Sequence, residues 1–296
     1  MGIYLSQPDK EKETIEDSFQ NFKFVASSMQ GWRTTMEDSH IMSKDLGDGI
    51  MVFGVFDGHG GKEVAKFVEK YFIEELKKNK NFQAKNFKDA LYENFIRMDE
   101  MLETPEGQEE LLKIKGTDYG ESTAGCTANV ILIHNKQIYC ANAGDSRSIL
   151  CRNGKELELS HDHKPENQKE KQRVEDAGGY VGVDGRINGN LNLSRAMGDL
   201  EYKNNKNLKV DEQLIIACPD IEVFELTDED EFILMGCDGI WETKSNQELL
   251  DQIKSDFKKN IPMKEVIETL LDSLLAPDTN NGYGCDNMTA IIIKLK

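Results

Sequence analysis

MVFGVFDGHGGK, residues 51–62, is the stretch on which the reading of the chain turns. It opens as an unbroken apolar run from Met51 to Phe56, with the length of a strand buried on both faces. The run stops on Asp57, a carboxylate that is costly at the end of a buried strand unless something pairs with it. Gly58, His59, Gly60 and Gly61 follow, a turn with almost no side-chain bulk. From Lys62 a helical pattern takes over, with Val64, Ala65, Val68, Phe72 and Leu76 on one face. An acid, a permissive backbone and a titratable imidazole therefore stand at the lip of a buried sheet. In isolation the stretch also reads as ordinary punctuation, with Asp57 capping the helix. A phosphate-cradling P-loop is excluded, because Phe56 occupies the place of the first glycine and Glu63 follows Lys62 instead of Ser or Thr.

The 296 residues are ample for a substantial core. With 36 basic and 54 acidic residues the formal charge is −18, which argues against nucleic acid as a partner and for a soluble protein. Neither a bilayer-spanning run nor a signal peptide is expected. Cys126, Cys140, Cys151, Cys218, Cys237 and Cys285 form no Cys-x-x-Cys pair and sit mostly in apolar stretches, as small buried residues in a reducing compartment do.

Residues 1–20, polar and charged after the first few, read as a flexible arm, and 22–28 as a strand. The polar segment GWRTTMED, 31–38, reads alone as a solvated loop. The spacing predicts strands over 50–56, 128–133, 137–143, 148–152, 221–226, 231–237 and 288–295. Asn153-Gly154 signals a hairpin after the fourth of these. Helices are predicted over about 62–78, 87–102 and 165–177, with two more after 238. Residues 104–121 are a loop or a partly helical insert, and 180–211, rich in Gly and Asn, a long irregular segment. Strands in hairpin-like runs with helices grouped beside them point to an α+β fold with mostly antiparallel sheets.

The strand-then-acid device recurs: Asp57, Asp145 and Asp238 each close an apolar run, and Asp286 stands just before the last strand. If those strands lie side by side the carboxylates converge, and they repel unless protonated or bridged by cations. Oxygen ligands clustered without Cys or His suit Mg²⁺ or Mn²⁺ rather than Zn²⁺.

VFDGHGG, preceded by GWRTTMEDSH and followed by ANAGDSR, HDHKP, GRINGNLNLSRAMGD, CPDIEV, GCDGIWE and GCDNMTAIII, resembles the metal-dependent protein phosphatases, the type 2C Ser/Thr phosphatases. The resemblance spans about 22–295. It implies a single catalytic domain, taken as 21–296, built as a four-layer αββα sandwich of two mostly antiparallel sheets flanked by helices. It further implies two tightly bound Mn²⁺ or Mg²⁺ ions and hydrolysis of phosphoserine and phosphothreonine in proteins by a metal-bridging water. Asp57 is then the bridging ligand, with the Gly58 carbonyl and Glu37 on one ion and Asp238 and Asp286 on the other. Asp145 serves a third, weaker ion together with Asp238, and Asp38 sits behind the ligands and orients water. Arg33 grips the substrate phosphate with its planar fork, and His59, with an ordinary pKa of ~6.5, protonates the leaving alcohol. The enzyme so implied acts as a monomer in the cytoplasm.

Two other readings compete. A cysteine-based phosphatase needs Cys-x5-Arg, and six residues separate Cys140 from Arg147. A phosphatase-like binding module without catalysis remains as the alternative; its mark would be loss of Glu37, Asp57, Asp238 or Asp286, all of which are present. Finally, MGIYLS fits the myristoylation pattern with Gly2 as acceptor and Ser6 in the sixth place, against an unmodified arm. One acyl chain without a basic patch implies weak membrane association at most.

Overall fold

In the computed structural model, which describes residues 4–117, 120 and 122–295, the apolar run 51–56 is a strand with all six residues buried. In chain order the elements are β1 (Tyr4–Phe19), β2 (Phe22–Arg33), β3 (Ser39–Ser43), β4 (Met51–Phe56) and β5 (Gly58–His59), then α1 (Glu63–Lys78), α2 (Lys80–Gln83), α3 (Phe87–Leu102) and α4 (Pro105–Lys115). There follow β6 (Gly125–Cys126), β7 (Ala128–His134), β8 (Gln137–Ala143), β9 (Arg147–Arg152), β10 (Lys155–Glu158), α5 (Gln168–Asp176) and β11 (Met197–Gly198). The chain finishes with β12 (Asp220–Glu225), β13 (Asp230–Gly236), α6 (Asp238–Trp241), α7 (Asn246–Lys258), α8 (Met263–Leu274) and β14 (Met288–Lys294).

One sheet runs β1-β2-β14-β13-β9-β10 and a second β12-β8-β7-β4-β3, with a short ribbon β11-β6-β5 beside them. Every pairing between these strands is antiparallel. Alternation along β4 explains the layering. Met51, Phe53 and Val55 enter the core between the sheets, where Phe53 meets Phe24 of β2 edge-on with ring centres 5.0 Å apart. Val52 and Phe56 face the other way, onto α1 and α3, and Phe56 lies 6.0 Å from Phe72. On the far side Val266, Ile267, Leu270, Leu271 and Leu274 of α8 join Leu249, Leu250 and Ile253 of α7 against the first sheet. The result is the expected helix–sheet–sheet–helix sandwich. Each large side chain so buried contributes roughly 1.5–3 kcal/mol relative to exposure.

The structure departs from the sequence reading most in three places, beyond short added elements such as helix α6 and strand β3. Residues 4–19 are a strand, β1, where an arm was expected. β1 is an edge strand, mostly solvent-exposed, so it carries almost no apolar signal. Its side chains are held by polar partners on α8 instead: Lys12 Nζ lies 2.6 Å from Asp272, and Thr14 Oγ1 donates to Glu268 at 2.8 Å. Gly2 lies outside the described residues, and Ser6 is exposed within β1. Secondly, 31–33 finish β2 rather than opening a loop. Thirdly, much of 104–121 is the helix α4, capped by Thr104, whose hydroxyl accepts from the Gly107 N–H, and closed by Gly116 at φ +80°. Residues 180–211 are irregular, as expected, apart from β11 and a 3₁₀ turn at Leu200–Tyr202, and rest on a small core of their own that includes Val174, Ile187, Leu193, Ala196 and Ile215.

Candidate metal centre

β4 and β8 of one sheet, and β13 and β14 of the other, bring their site-bearing ends to the same edge of the sandwich. There a cleft of about 270 Å³ is lined by Arg33, Glu37, Asp57, Gly58, His59, Asp145, Asp238 and Asp286, all singled out from sequence, while Asp38, also singled out, is buried and is not part of the lining. The carboxylate oxygens of Asp57, Asp145 and Asp238 lie within 4.8 Å of one another. A second such group is Asp238, Glu242 and Asp286, and a third joins Asp38 and Asp57 to the Cys237 thiol. Glu37 lines the cleft but stands outside these groups. Its carboxylate instead accepts from the Thr35 hydroxyl at 2.8 Å and the Gly61 N–H at 3.2 Å.

The electrostatics follow from crowding. Burial pushes Asp57 well above the usual carboxylate range, and the charges of Asp238, Asp38, Asp145 and Asp286 push it further. Asp238 is raised in the same way by burial, Asp145, Asp286 and Glu242. Asp38 is pushed up to about 6, chiefly by burial, which Thr289 opposes and Asp286 reinforces. Its Oδ2 is buried and, among the described residues, has no hydrogen-bond partner. The Cys237 thiol is driven far above its ordinary value by burial and then by Asp38, which keeps it protonated and a poor ligand. A set of crowded, mutually repelling oxygens, Asp38 and Asp145 buried and Asp57, Asp238 and Asp286 half-buried, with no available thiolate, fits a hard divalent cation.

Backbone shape makes the approach close. A Cβ on Gly58 would sit 2.4 Å from the Glu37 carbonyl oxygen, so only glycine lets these two segments meet. The loop carrying Glu37 is fastened by Asn287, whose Nδ2 donates to the carbonyls of Gln30 at 2.8 Å and Thr35 at 3.0 Å while its Oδ1 accepts from the Glu37 N–H at 2.9 Å. Arg33 Nη2 donates to Asp286 at 2.5 Å. His59 Nε2 lies 2.7 Å from Asp199. Burial works against protonation of His59, but Asp199 more than offsets it and the imidazole titrates above its ordinary range. Asp145 pairs with the Lys164 ammonium. Burial of that ammonium is outweighed by Asp145, so its pKa is raised.

Asn287, Asp199, Lys164 and Glu242 had no role in the sequence reading. All four lie within motifs quoted there, and no spacing rule connects any of them to its partner.

The family model described as Protein phosphatase 2C matches residues 22–282. The chain is 59% identical over 301 residues to Probable protein phosphatase 2C 3 of Paramecium tetraurelia, with 100% of both covered. It is 41% identical over 331 residues to Probable protein phosphatase 2C 58 of Oryza sativa subsp. japonica, covering 100% of this chain and 90% of that one. A solved phosphatase from a pathogenic strain of Toxoplasma gondii superposes with a TM-score of 0.77 at 23% identity, over 96% of this chain and 95% of that one, a likeness of fold. On the family match and the identity over its whole length, the chain belongs to the protein phosphatase 2C family of metal-dependent Ser/Thr protein phosphatases.

Proposed function

We propose that this Ser/Thr phosphatase hydrolyses phosphoserine and phosphothreonine by direct attack of water on phosphorus, with Mn²⁺ or Mg²⁺ held by Asp57, the Gly58 carbonyl, Glu37, Asp238 and Asp286. A third, weaker ion belongs to Asp145 with Asp238. The observation that carries the reading is the convergence of Asp57, Asp145 and Asp238 within 4.8 Å at a cleft floor. Bound divalent ions supply Lewis-acid activation of water and offset the phosphoryl charge.

The chain's own residues supply the rest. Arg33, at the cleft wall with 43% of its side chain exposed, presents a planar fork to the phosphate oxygens. His59, held by Asp199, delivers a proton to the leaving oxygen. Asp38, buried beside Asp57, orients water from behind, and Asn287 fixes the loop from Arg33 to Glu37. No phosphoenzyme forms on this route.

Hydrolysis of a phosphoserine peptide by the purified chain, with Mn²⁺, with Mg²⁺ and with chelator, tests the proposal. Full activity in excess chelator, or a trapped covalent phosphoryl group, overturns it. Metal binding by calorimetry without turnover would favour the silent binding module instead.

The enzyme is also proposed to be a cytoplasmic monomer, with Gly2 as an acyl acceptor giving weak membrane association at most. The support is the MGIYLS pattern and the acids Asp9, Glu11 and Glu13, which offset Lys10 and Lys12. An intact mass showing an unmodified Gly2 removes the lipid.

A further inference from the structure

We propose that Lys164 is a tethered counter-cation that competes with a divalent ion for Asp145, and so sets how strongly that side of the acid cluster is loaded. The inference rests on the metal reading above and deepens it. Asp57, Asp145 and Asp238 share one cluster, yet their protein partners differ. Lys164 Nζ contacts Asp145 Oδ2, and Arg33 takes Asp286. Among the described residues no lysine or arginine forms an ion pair with Asp57 or Asp238. The protein therefore supplies its own positive charge on the Asp145 side and leaves the Asp57–Asp238 centre to ions from solution.

The lysine is held in place by its backbone. Its neighbour His163 donates its N–H to the Gly144 carbonyl at 2.9 Å, and the Gly144 N–H donates to His163 Nδ1 at 3.2 Å. The His163 carbonyl accepts from the Ser194 N–H at 3.1 Å and its hydroxyl at 2.9 Å. The Lys164 carbonyl accepts from the Asn167 N–H at 3.0 Å. The two bonds to Gly144 dock residues 163–164 on the turn that carries Asp145, and those from Ser194 and Asn167 brace the same segment, so the ammonium contact has only side-chain freedom left to lose. An ammonium and a metal ion seek the same carboxylate lone pairs and repel each other at short range. The Asp145 side chain is 3% exposed, so solvent screens that competition weakly, while the Lys164 side chain, 33% exposed, has room to swing aside when an ion takes its place.

Mn²⁺ titration by calorimetry tests this on the full chain, with thermal unfolding of every variant to establish folding. Lys164→Met and Lys164→Gln should each bind the weakest ion about tenfold more tightly, or reveal an ion the unaltered chain does not take up. Lys164→Arg should leave binding as it was. In an Asp145→Asn background, Lys164→Met should have no effect. Unchanged or weaker binding in both neutral variants overturns the proposal, as does an arginine variant that behaves like the neutral ones. If the unaltered chain binds no Mn²⁺ at all, the metal reading itself falls, so the two failures are told apart.

Discussion

The Nε2 of His59 and the Oδ2 of Asp199 lie 2.7 Å apart across 140 positions of sequence. The Asp199 side chain is 2% exposed. Room for the pair is left by Gly125, where a Cβ would come 2.3 Å from Asp199 and 2.5 Å from His59. A buried carboxylate of this kind locks the imidazole at the cleft wall. Asp199→Asn is expected to cut kcat on a phosphoserine peptide by about 10- to 100-fold. It should affect an aryl phosphate much less, because a nitrophenolate leaves without a proton. Equal losses on the two substrates would remove His59 from proton donation.

Asp57 belongs to two of the three acid groups at the cleft, so its loss should be felt throughout. Asp57→Ala is expected to lose the tight ions and nearly all turnover. Asp145→Ala should retain the tight ions and lose rate. Calorimetric Mn²⁺ stoichiometry on both variants decides this, and an unchanged count in Asp57→Ala would refute the ligand assignment.

Glu170, its side chain 4% exposed, accepts from Arg195 Nη2 at 2.6 Å, from Arg173 Nη1 at 2.6 Å and from the Ser194 hydroxyl at 2.7 Å. Burial works against its ionisation, yet Arg195 and Arg173 hold its carboxyl at about 2, below its ordinary 4.5. A lowered folded value means stability that is present in full above 4.5 and is lost as the pH falls towards 2. Glu170→Gln should therefore cost roughly 3 kcal/mol at pH 7. That gap should close as the pH falls below 4.5, as read by urea unfolding at a series of pH values. A gap independent of pH would show that the charge is not what matters.

The formal charge of −18 should draw basic segments to the surface around the cleft. Phosphopeptides flanked by Lys or Arg are expected to show higher kcat/KM than acidic ones, with the advantage fading as salt is raised. A preference for acidic flanks that ignores salt would overturn this.

The sandwich was largely legible because its strands are buried on both faces or alternate cleanly, as in β4, where every residue is apolar or glycine and every one is buried. The acid cluster was legible because a charge at the end of such a strand demands a partner, and the same device recurs at Asp145 and Asp238. β1 was not, because an edge strand that meets Asp272 and Glu268 through Lys12 and Thr14 has no hydrophobic period to read. Nor does any local pattern show that the Gly61 N–H holds the Glu37 carboxylate, or that Asn287 fastens Gln30 and Thr35 from more than two hundred positions away. Such tertiary polar contacts depend on chain path, and sequence spacing carries no record of them.

β14 lies between β2 and β13, and it begins two residues after Asp286. Thr289 of β14 donates to Ser28 of β2 across 261 positions. During synthesis β2 must therefore wait for almost the whole chain, roughly 15–60 s at ribosomal speeds, before its second neighbour exists. Through that interval one edge of β2 has only the charged hairpin partner β1 beside it, and the other is a bare strand edge open to aggregation. Closing so long a loop is slow, and the first sheet and the metal cluster should form together, late, as one cooperative event. A ribosome stalled before residue 288 would hold a chain with most of its helices present and no metal centre, a natural client for chaperones.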